Sequence, residues 1–291
     1  IPFFITGLVL VEYLSREKLS ALNLKKSEEL AELIGIILGD GEIKKDGAIR
    51  IAFDPKKDKN YLYRNTFPLI ENLLGNKIGF ESNGRIHFGN IAFMRYLRDV
   101  CSLKAGSKFE SNWIIPQWCS SNDKYLASII RGIFDTDGYI GYKSKHLEIM
   151  LGRFSSRSYD FVKSISESLY QLKILHRIEQ CKDGRYKVRI NDNINALKFF
   201  NVVGTSNLKH IVRFLLWRIL RYEAKIELQG INYLIEELNA KINFDIQKID
   251  LPFLWNVNNS QFQSYIRIDL EEIKGAEIRN LYRWPEITAQ L

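Results

Sequence analysis

Two segments of this chain repeat one short pattern. Residues 33–41 read LIGIILGDG, and residues 130–138 read IRGIFDTDG. The pairs identical at a constant offset of 97 residues include Gly35 and Gly132, Asp40 and Asp137, and Gly41 and Gly138. Similarity at a fixed offset is the signature of a repeated structural unit. We therefore expect the chain to contain two copies of one unit.

The residues after each segment predict the same order of strands and helices. After the first segment we predict a strand over 48–53 and helices over 59–74 and 91–100. After the second segment we predict a strand over 147–151 and helices over 158–172 and 193–200. Two further strands flank Asn83-Gly84 in one copy and Asp183-Gly184 in the other, and both dipeptides are typical of tight hairpins. Each copy is therefore predicted as an α-β-β-α-β-β-α unit of an α+β fold.

This pattern divides the chain into four parts. We predict an N-terminal segment over 1–28, a first repeat over 29–120, a second repeat over 121–220 and a C-terminal extension over 221–291. Residues 113–118 form an extended connection between the repeats, because Pro116 disfavours helical geometry at the residue before it. Nothing else in the chain matches the extension, in which we predict a long amphipathic helix over 218–239 and a strand over 264–270.

The two repeated segments are predicted to be helices that pack against each other. Gly35 and Gly39 are four residues apart and share one helix face, and Gly132 and Thr136 do the same. Small residues at this spacing let two helix backbones approach closely. The surrounding Ile, Leu and Phe side chains would be buried around the contact.

Packing of this kind would place Asp40 and Asp137 close together at two helix C-termini. We expect Gly41 and Gly138 to end the helices in the left-handed conformation. The macrodipole disfavours an anion there, and the two carboxylates repel each other. A divalent cation bound by both carboxylates would relieve both effects. The alternative is that the two aspartates only cap a turn. The predicted residues of a site for Mg²⁺ or Mn²⁺ are Asp40, Asp137, Gly39 and Thr136.

Basic residues are concentrated in the middle of the chain. The formal net charge is +8, residues 1–30 carry no net charge and residues 221–291 carry −3, so that +11 falls on residues 31–220. This excess favours a polyanionic partner such as nucleic acid, although it could also serve solubility alone. The three cysteines lack the spacing of a disulfide framework or a zinc site. We expect a cytoplasmic protein, or an organellar one if the source is eukaryotic.

Residues 1–11 are apolar but too short to span a bilayer, and no basic region precedes them. We therefore expect no membrane partner.

The two nonamers, each followed by the same order of elements, resemble the LAGLIDADG motif of homing endonucleases. The resemblance covers about residues 29–215 and includes the segments 115–118 and 204–210. It implies two pseudo-symmetric repeats whose antiparallel sheets form a saddle over double-stranded DNA. It also implies Mg²⁺-dependent hydrolysis of both strands at a long, asymmetric target, as in intron homing. Two repeats in one chain imply a monomer.

The resemblance also implies a basic or polar residue that orders water near each metal site. Lys57 occupies roughly that place in the first repeat, and Arg153 or Arg157 does so in the second. Arg185, Lys187 and Arg189 alternate along one predicted strand, so their side chains project from one face of it. Such a face could lie in the major groove and contact base edges. The alternative is an edge strand kept soluble by charge. The predicted DNA-binding residues are Arg50, Lys56, Arg85, His87, Arg185, Lys187 and Arg189.

Three other functions are compatible with the same repeats besides that of an intron-encoded nuclease. Some proteins of this family resemble RNA maturases, and others are DNA-binding regulators without catalysis. Neither needs both Asp40 and Asp137, so their presence favours the nuclease. An intein endonuclease domain ranks lower, because the chain has no splicing-type Cys or Ser at its start and no His-Asn pair at its end.

Overall fold

The computed structural model of the chain describes residues 24–75, 78–81, 84–106, 113–143, 146–152 and 158–220. Arg153, Arg157 and the C-terminal extension, including the strand predicted over 264–270, lie outside these residues. Most of the N-terminal segment also lies outside them, as does the helix predicted over 218–239 beyond residue 220.

The first repeat begins with a helix and continues into an antiparallel sheet. Its elements are α1 (Glu28–Asp40), β1 (Gly41–Ile43), β2 (Ala48–Ala52), α2 (three consecutive parts, Lys59–Tyr61, Leu62–Thr66 and Phe67–Leu74), β3 (Gly79–Glu81), β4 (Arg85–Gly89) and α3 (Ile91–Asp99). The strand order in the sheet is β1-β2-β4-β3, and every neighbouring pair is antiparallel. The middle part of α2 is a π-helical turn just before Pro68, which has no amide hydrogen to donate within the helix.

The second repeat has the same order of elements. They are α4 (Asp123–Asp137), β5 (Tyr139–Lys143), β6 (His146–Leu151), α5 (Tyr159–Gln171), β7 (Arg177–Gln180), β8 (Tyr186–Ile190) and α6 (Asn193–Val202). Its sheet has the order β5-β6-β8-β7, again antiparallel throughout, and helix α7 (Leu208–Leu220) follows. The predicted α+β fold with two α-β-β-α-β-β-α repeats is confirmed.

Side-chain caps fix where helices α1 and α4 begin. Ser27 Oγ accepts a hydrogen bond from the Leu30 amide at 3.1 Å, and Asn122 Oδ1 accepts one from the Lys124 amide at 2.8 Å. Each cap satisfies an amide that the first turn of a helix would leave without a partner. The same two helices are buried over most of their length, and they lie at the centre of the molecule.

One hydrophobic core runs through both repeats. Its largest part is formed by α1 and α4 together with the inward faces of the two sheets. Along β4 the side chains alternate, so that Ile86 and Phe88 are buried while Arg85 and His87 are exposed. Each sheet therefore covers the central helices with one face. The outer face of the first sheet is largely exposed, whereas Glu148 and Met150 on the outer face of the second sheet are buried. In the described part of the chain, no helix has both the length and the apolar character that crossing a membrane requires.

The last described helix begins earlier than predicted. The sequence indicated a helix from residue 218, whereas α7 already begins at Leu208. Asn207 starts it, because its Oδ1 accepts a hydrogen bond from the Lys209 amide at 3.1 Å and its carbonyl accepts one from the His210 amide at 3.0 Å. The polar residues 204–207 thus lead directly into a helix that packs on the second repeat.

Candidate functional site

Helices α1 and α4 touch along their backbones at the positions of the repeated small residues. A Cβ atom on Gly35 would overlap the Ile129 carbonyl, and one on Gly132 would overlap the Glu32 carbonyl. One turn further, a Cβ atom on Gly39 would overlap the Thr136 side chain. No larger residue fits at these points unless the helices move apart.

The same contacts fix the relative direction of the two helices. Gly35 lies against Gly132 and Gly39 lies against Thr136, so the helices run parallel and end at the same place. Asp40 and Asp137 are the next residues after the last contact, and they end α1 and α4. Asp137 is buried, with 2% of its surface exposed, whereas Asp40 is half-buried. The fold therefore brings both predicted catalytic carboxylates to one end of the helix pair.

The expected left-handed conformation of Gly41 and Gly138 is wrong. Both residues are extended, with φ −87° and ψ 159° at Gly41 and φ −87° and ψ 164° at Gly138. The physical reason is that each helix passes directly into a strand, β1 or β5, without a turn. A Cβ atom on either glycine would overlap the last turn of its own helix, so the glycines permit this close passage.

Gly39 and Thr136, the two other predicted metal-site residues, form the contact between the helices. The Thr136 hydroxyl is within hydrogen-bonding distance of its own helix, 2.8 Å from the Gly132 carbonyl and 3.2 Å from the Ile133 carbonyl. Among the described residues, no group of three or more His, Cys, Asp or Glu side chains is placed to hold a metal ion. A cation between Asp40 and Asp137 would therefore take other ligands from water and from a bound phosphate, which suits Mg²⁺.

A buried ion pair crosses the helix interface away from this end. Arg131 Nη2 on α4 lies 2.6 Å from Glu32 Oε2 on α1, and Asn65 of α2 donates to Glu32 Oε1 at 2.9 Å. The positions 97 residues away are Ile129 and Ile34, so the pseudo-symmetry does not repeat the pair. The interface thus distinguishes α1 from α4.

Lys57 lies in a tight loop after β2. Asp54 Oδ1 accepts hydrogen bonds from the Lys56 amide at 2.9 Å and the Lys57 amide at 3.2 Å, and Asp58 Oδ2 accepts one from the Asp54 amide at 3.0 Å. Lys56 is exposed and Lys57 is half-buried. The loop is held by its own carboxylates, and the role of Lys57 in ordering water stays a prediction. Arg153 and Arg157, its counterparts in the second repeat, lie outside the described residues.

Asn207 connects this loop to the second repeat, a contact that sequence reasoning missed. Asn207 Nδ2 lies 2.8 Å from Asp58 Oδ1 and 2.8 Å from the Asp135 carbonyl. Lys209 Nζ lies 3.0 Å from the same Asp58 oxygen. The only signal in the sequence was the resemblance of segment 204–210 to the family. Nothing in the sequence pairs residues that are 149 positions apart.

Asp135 is buried in the same region and is not exposed for catalysis. The Thr205 hydroxyl donates to Oδ1, and the Ser206 amide donates to Oδ2 at 2.8 Å. Burial raises the pKa of the Asp135 carboxyl to about 7, although these two hydrogen bonds act in the opposite direction. The carboxyl group therefore contacts the segment that leads into α7.

Most of the predicted DNA-binding residues lie on the solvent faces of the two sheets. Arg50 of β2 pairs with His87 of β4. Arg85 lies two residues before His87 on β4 and is on the same face. In the second sheet, Lys187 and Arg189 lie on β8, while Arg185 precedes the strand in the Asp183-Gly184 turn. Lys56 belongs to the loop after β2 and not to a sheet. DNA contact by all seven residues stays a prediction.

The strand register defines which residues correspond between the two repeats. Arg85 pairs with Glu81, just as Lys187 pairs with Glu179. His87 pairs with Gly79, just as Arg189 pairs with Arg177. Lys187 and Arg189 are therefore the counterparts of Arg85 and His87, and Arg185 lies one position outside the matched strands.

The two sheet faces carry acids as well as bases, which sequence reasoning also missed. Glu42 and Glu81 lie among the cations of the first sheet, and Glu148 and Glu179 lie among those of the second. Arg185, outside the strands, is bound by Asp183, with its Nε 2.8 Å from Asp183 Oδ2. The two faces thus carry charges of both signs, because Arg50, Lys187 and Arg189 are paired with carboxylates.

Comparisons with known proteins agree with this architecture. Residues 124–204 match the model of the LAGLIDADG-like domain. The chain is 24% identical over 258 residues to glutamine–fructose-6-phosphate aminotransferase of Methanocaldococcus jannaschii, covering 86% of this chain and 20% of that protein. It is also 24% identical over 256 residues to a probable translation initiation factor IF-2 of the same organism, covering 84% of this chain and 20% of that protein. The chain thus spans about a fifth of the length of these relatives.

Among solved structures, the chain is similar to I-DmoI in complex with DNA and Mn. The TM-score is 0.44 and the sequence identity is 18%, over 62% of this chain and 98% of that chain. Residues 124–204 are thus similar to the LAGLIDADG-like domain in sequence, and the same order of helices and strands occurs a second time earlier in this polypeptide.

Proposed function

We propose that this chain is a site-specific endonuclease that hydrolyses both strands of DNA with the help of divalent metal ions. The observation that carries the proposal is the parallel contact of α1 and α4 through Gly35, Gly39, Gly132 and Thr136. Asp40 and Asp137 end these helices at the same end of the pair, where the helix dipoles and the repulsion between neighbouring carboxylates would both be unfavourable. Such an arrangement is unfavourable for folding alone, and a cation would relieve it.

The two carboxylates fit Mg²⁺ or Mn²⁺ in the kind of donor they offer. Asp40 and Asp137 would hold the metal by oxygen atoms, with Gly39 and Thr136 beside them at the helix contact. A bound divalent ion supplies charge neutralisation at a phosphate and activates water for attack on phosphorus. The half-buried position of Asp40 leaves it accessible to a substrate at the helix ends.

The other predicted residues would bind and orient the DNA. Lys57 would order water near Asp40, and Arg153 or Arg157 would do so near Asp137. The solvent faces of the two sheets would lie along the duplex, with Arg50, Arg85, His87, Lys187 and Arg189 toward the base edges. Lys56 and Arg185 would contact phosphates or bases at the margin of these faces. Since both repeats share one core, a single chain would present both faces as a monomer.

The relatives favour an inserted element as the origin of the chain. An aminotransferase and a translation factor have no activity in common, yet each contains a segment similar to most of this chain. We propose that this segment is a mobile element of the intein type, although the ends of the sequence alone favour an intron-encoded protein. A homing target would then match the uninterrupted coding sequence of a host gene at the insertion point.

Cleavage selection tests the proposed activity. The chain is incubated with a randomised double-stranded DNA library, once with Mg²⁺ and once with EDTA, and the newly cut ends are sequenced beside those from the Asp40→Asn/Asp137→Asn variant. We expect cutting at one long motif, lost with EDTA and in the variant. Cutting that persists in the variant would overturn the assignment of the aspartates. Retention of particular DNA or RNA without cutting would favour the regulator or maturase.

A further inference from the structure

Each sheet has a glutamate at the same place on its solvent face. Glu81 is the last residue of β3 and pairs with Arg85, and Glu179 of β7 pairs with Lys187 in the equivalent register. The two glutamates are therefore related by the pseudo-symmetry of the repeats. Both lie among the basic residues that the proposed function directs toward DNA.

Glu179 holds three cations at once. Its Oε1 lies 2.6 Å from Arg177 Nη2, its Oε2 lies 3.3 Å from Lys187 Nζ, and both oxygens lie 3.1 Å from Arg189 Nη1. Glu148 of β6 contacts Arg189 from the other side. The side chains of Lys187 and Arg189 are only 16% and 13% exposed, so the ion pairs are largely shielded from solvent. A shielded, charge-assisted pair holds a guanidinium group in one orientation.

Glu81 makes the same kind of contact more loosely. Its Oε1 lies 3.6 Å from Arg50 Nε and 3.4 Å from His87 Nδ1. The side chains of Arg50 and His87 are 39% and 48% exposed, so solvent screens these interactions more strongly than those of Glu179. In both repeats a glutamate therefore contacts neighbouring basic side chains, and these contacts are shorter and less exposed in the second sheet than in the first.

A carboxylate among DNA-facing cations affects the two kinds of DNA contact differently. Phosphate binding depends on net positive charge, and a nearby carboxylate opposes it. Base reading depends on donors and acceptors that point in fixed directions, and a carboxylate both orients an arginine and can itself accept from cytosine. The arrangement thus weakens binding that is independent of sequence more than binding to a matched sequence.

We infer that Glu179, and more weakly Glu81, are specificity-determining residues of the DNA interface. They hold Lys187, Arg189, Arg50 and His87 in place for base contacts and reduce the attraction of the lysine and the two arginines for phosphates. This inference rests on the proposed DNA-cleaving function. It assigns a role to acidic side chains on a surface where only the basic ones were predicted to act.

The test compares affinities for two DNA duplexes over a series of salt concentrations. The full chain, its Glu179→Gln and Glu81→Gln variants and a Glu167→Gln control are each titrated with the selected target and with a shuffled duplex, with Ca²⁺ replacing Mg²⁺. Glu167 is an exposed residue of α5 that pairs with Lys163 at 3.8 Å, so its variant makes the same change in net charge away from the sheets.

We expect Glu179→Gln to bind the shuffled duplex about tenfold more tightly and the target with little change, so that the ratio of the two affinities falls about tenfold. The plot of log affinity against log salt should become steeper by about one for each cation released to a phosphate. Glu81→Gln should show the same changes to a smaller extent. Because Glu81 is more exposed, that variant keeps the test decisive even if Glu179→Gln unfolds.

An unchanged affinity ratio in both sheet variants, equal to that of Glu167→Gln, would overturn the inference while the nuclease proposal stood. A wild-type chain that shows no preference for any duplex would overturn both.

Discussion

The Asp135 carboxyl group is fully buried, unlike the carboxyl group of a solvated side chain. Burial raises its pKa to about 7, well above the usual range of an aspartate. The folded state therefore binds a proton at this site more tightly than the unfolded state does. The stability linked to that proton is fully present below about pH 4 and is lost as the pH rises through about 7.

Replacement of Asp135 should remove this pH dependence. Between pH 4 and 7 we expect the free energy of unfolding of the wild type, relative to that of Asp135→Asn, to fall with rising pH by up to about 1.4 kcal/mol per unit. Urea unfolding followed by circular dichroism at several pH values measures this difference. Parallel pH profiles for the two proteins would contradict the buried position of the carboxyl group.

Several residue contacts at the site could not be predicted from the sequence. The positions of Asp40 and Asp137 at the ends of two paired helices could be predicted, because the same motif occurs in both repeats. By contrast, the partners of Glu81 and Glu179 depend on strand register, which the alternation of side chains does not define. The conformation of Gly41 and Gly138 depends on how directly each helix enters a strand. Their identity as glycines is compatible with either conformation.

The central element of the fold is the pair of parallel helices α1 and α4. Their close contact depends on the absence of side chains at Gly35, Gly39 and Gly132. The sequence predicted this contact because small residues at a spacing of four share one helix face. The start of α7 was missed because a polar run such as 204–207 reads as a loop, and its hydrogen bonds to Asp58 and Asp135 link residues that are distant in the chain.

Alanine at Gly132 should separate the two helices. Its Cβ atom would overlap the Glu32 carbonyl and the backbone at Gly35 and Ile36, none of which is a flexible side-chain end. We expect Gly132→Ala to lower the free energy of unfolding by about 3 kcal/mol and to reduce cleavage, because the aspartates would move apart. Gly89→Ala, where the added atom meets nothing within 4 Å, serves as the control. Equal stability of the two variants would show that the helices are not in close contact.

At the scale of the whole molecule, two repeats share one core but are not equivalent. The ion pair between Glu32 and Arg131 joins α1 to α4, and neither helix carries both partners. Two copies of α1, or two of α4, would bury an unpaired charge, which is strongly unfavourable. The interface therefore favours pairing within one chain and allows the two sheet faces to differ.

This asymmetry predicts a monomer in solution and on DNA. Sedimentation of the chain should give a mass near 34.0 kDa, and its complex with target DNA should contain one chain per duplex. A mass of twice this value at micromolar concentration, or two chains on each duplex, would contradict the prediction.

Metal binding to the two aspartates tests the central claim most directly. The full chain, with its selected target DNA, is titrated with Mn²⁺, and free Mn²⁺ is followed by electron paramagnetic resonance. Asp40→Asn/Asp137→Asn is compared with Glu42→Gln, a nearby residue on β1 that pairs with Lys44 at 2.6 Å. We predict that the wild type and Glu42→Gln bind Mn²⁺ alike and that the double variant loses this binding while remaining folded. Equal Mn²⁺ binding by the folded double variant would contradict the assignment of Asp40 and Asp137 as the metal site.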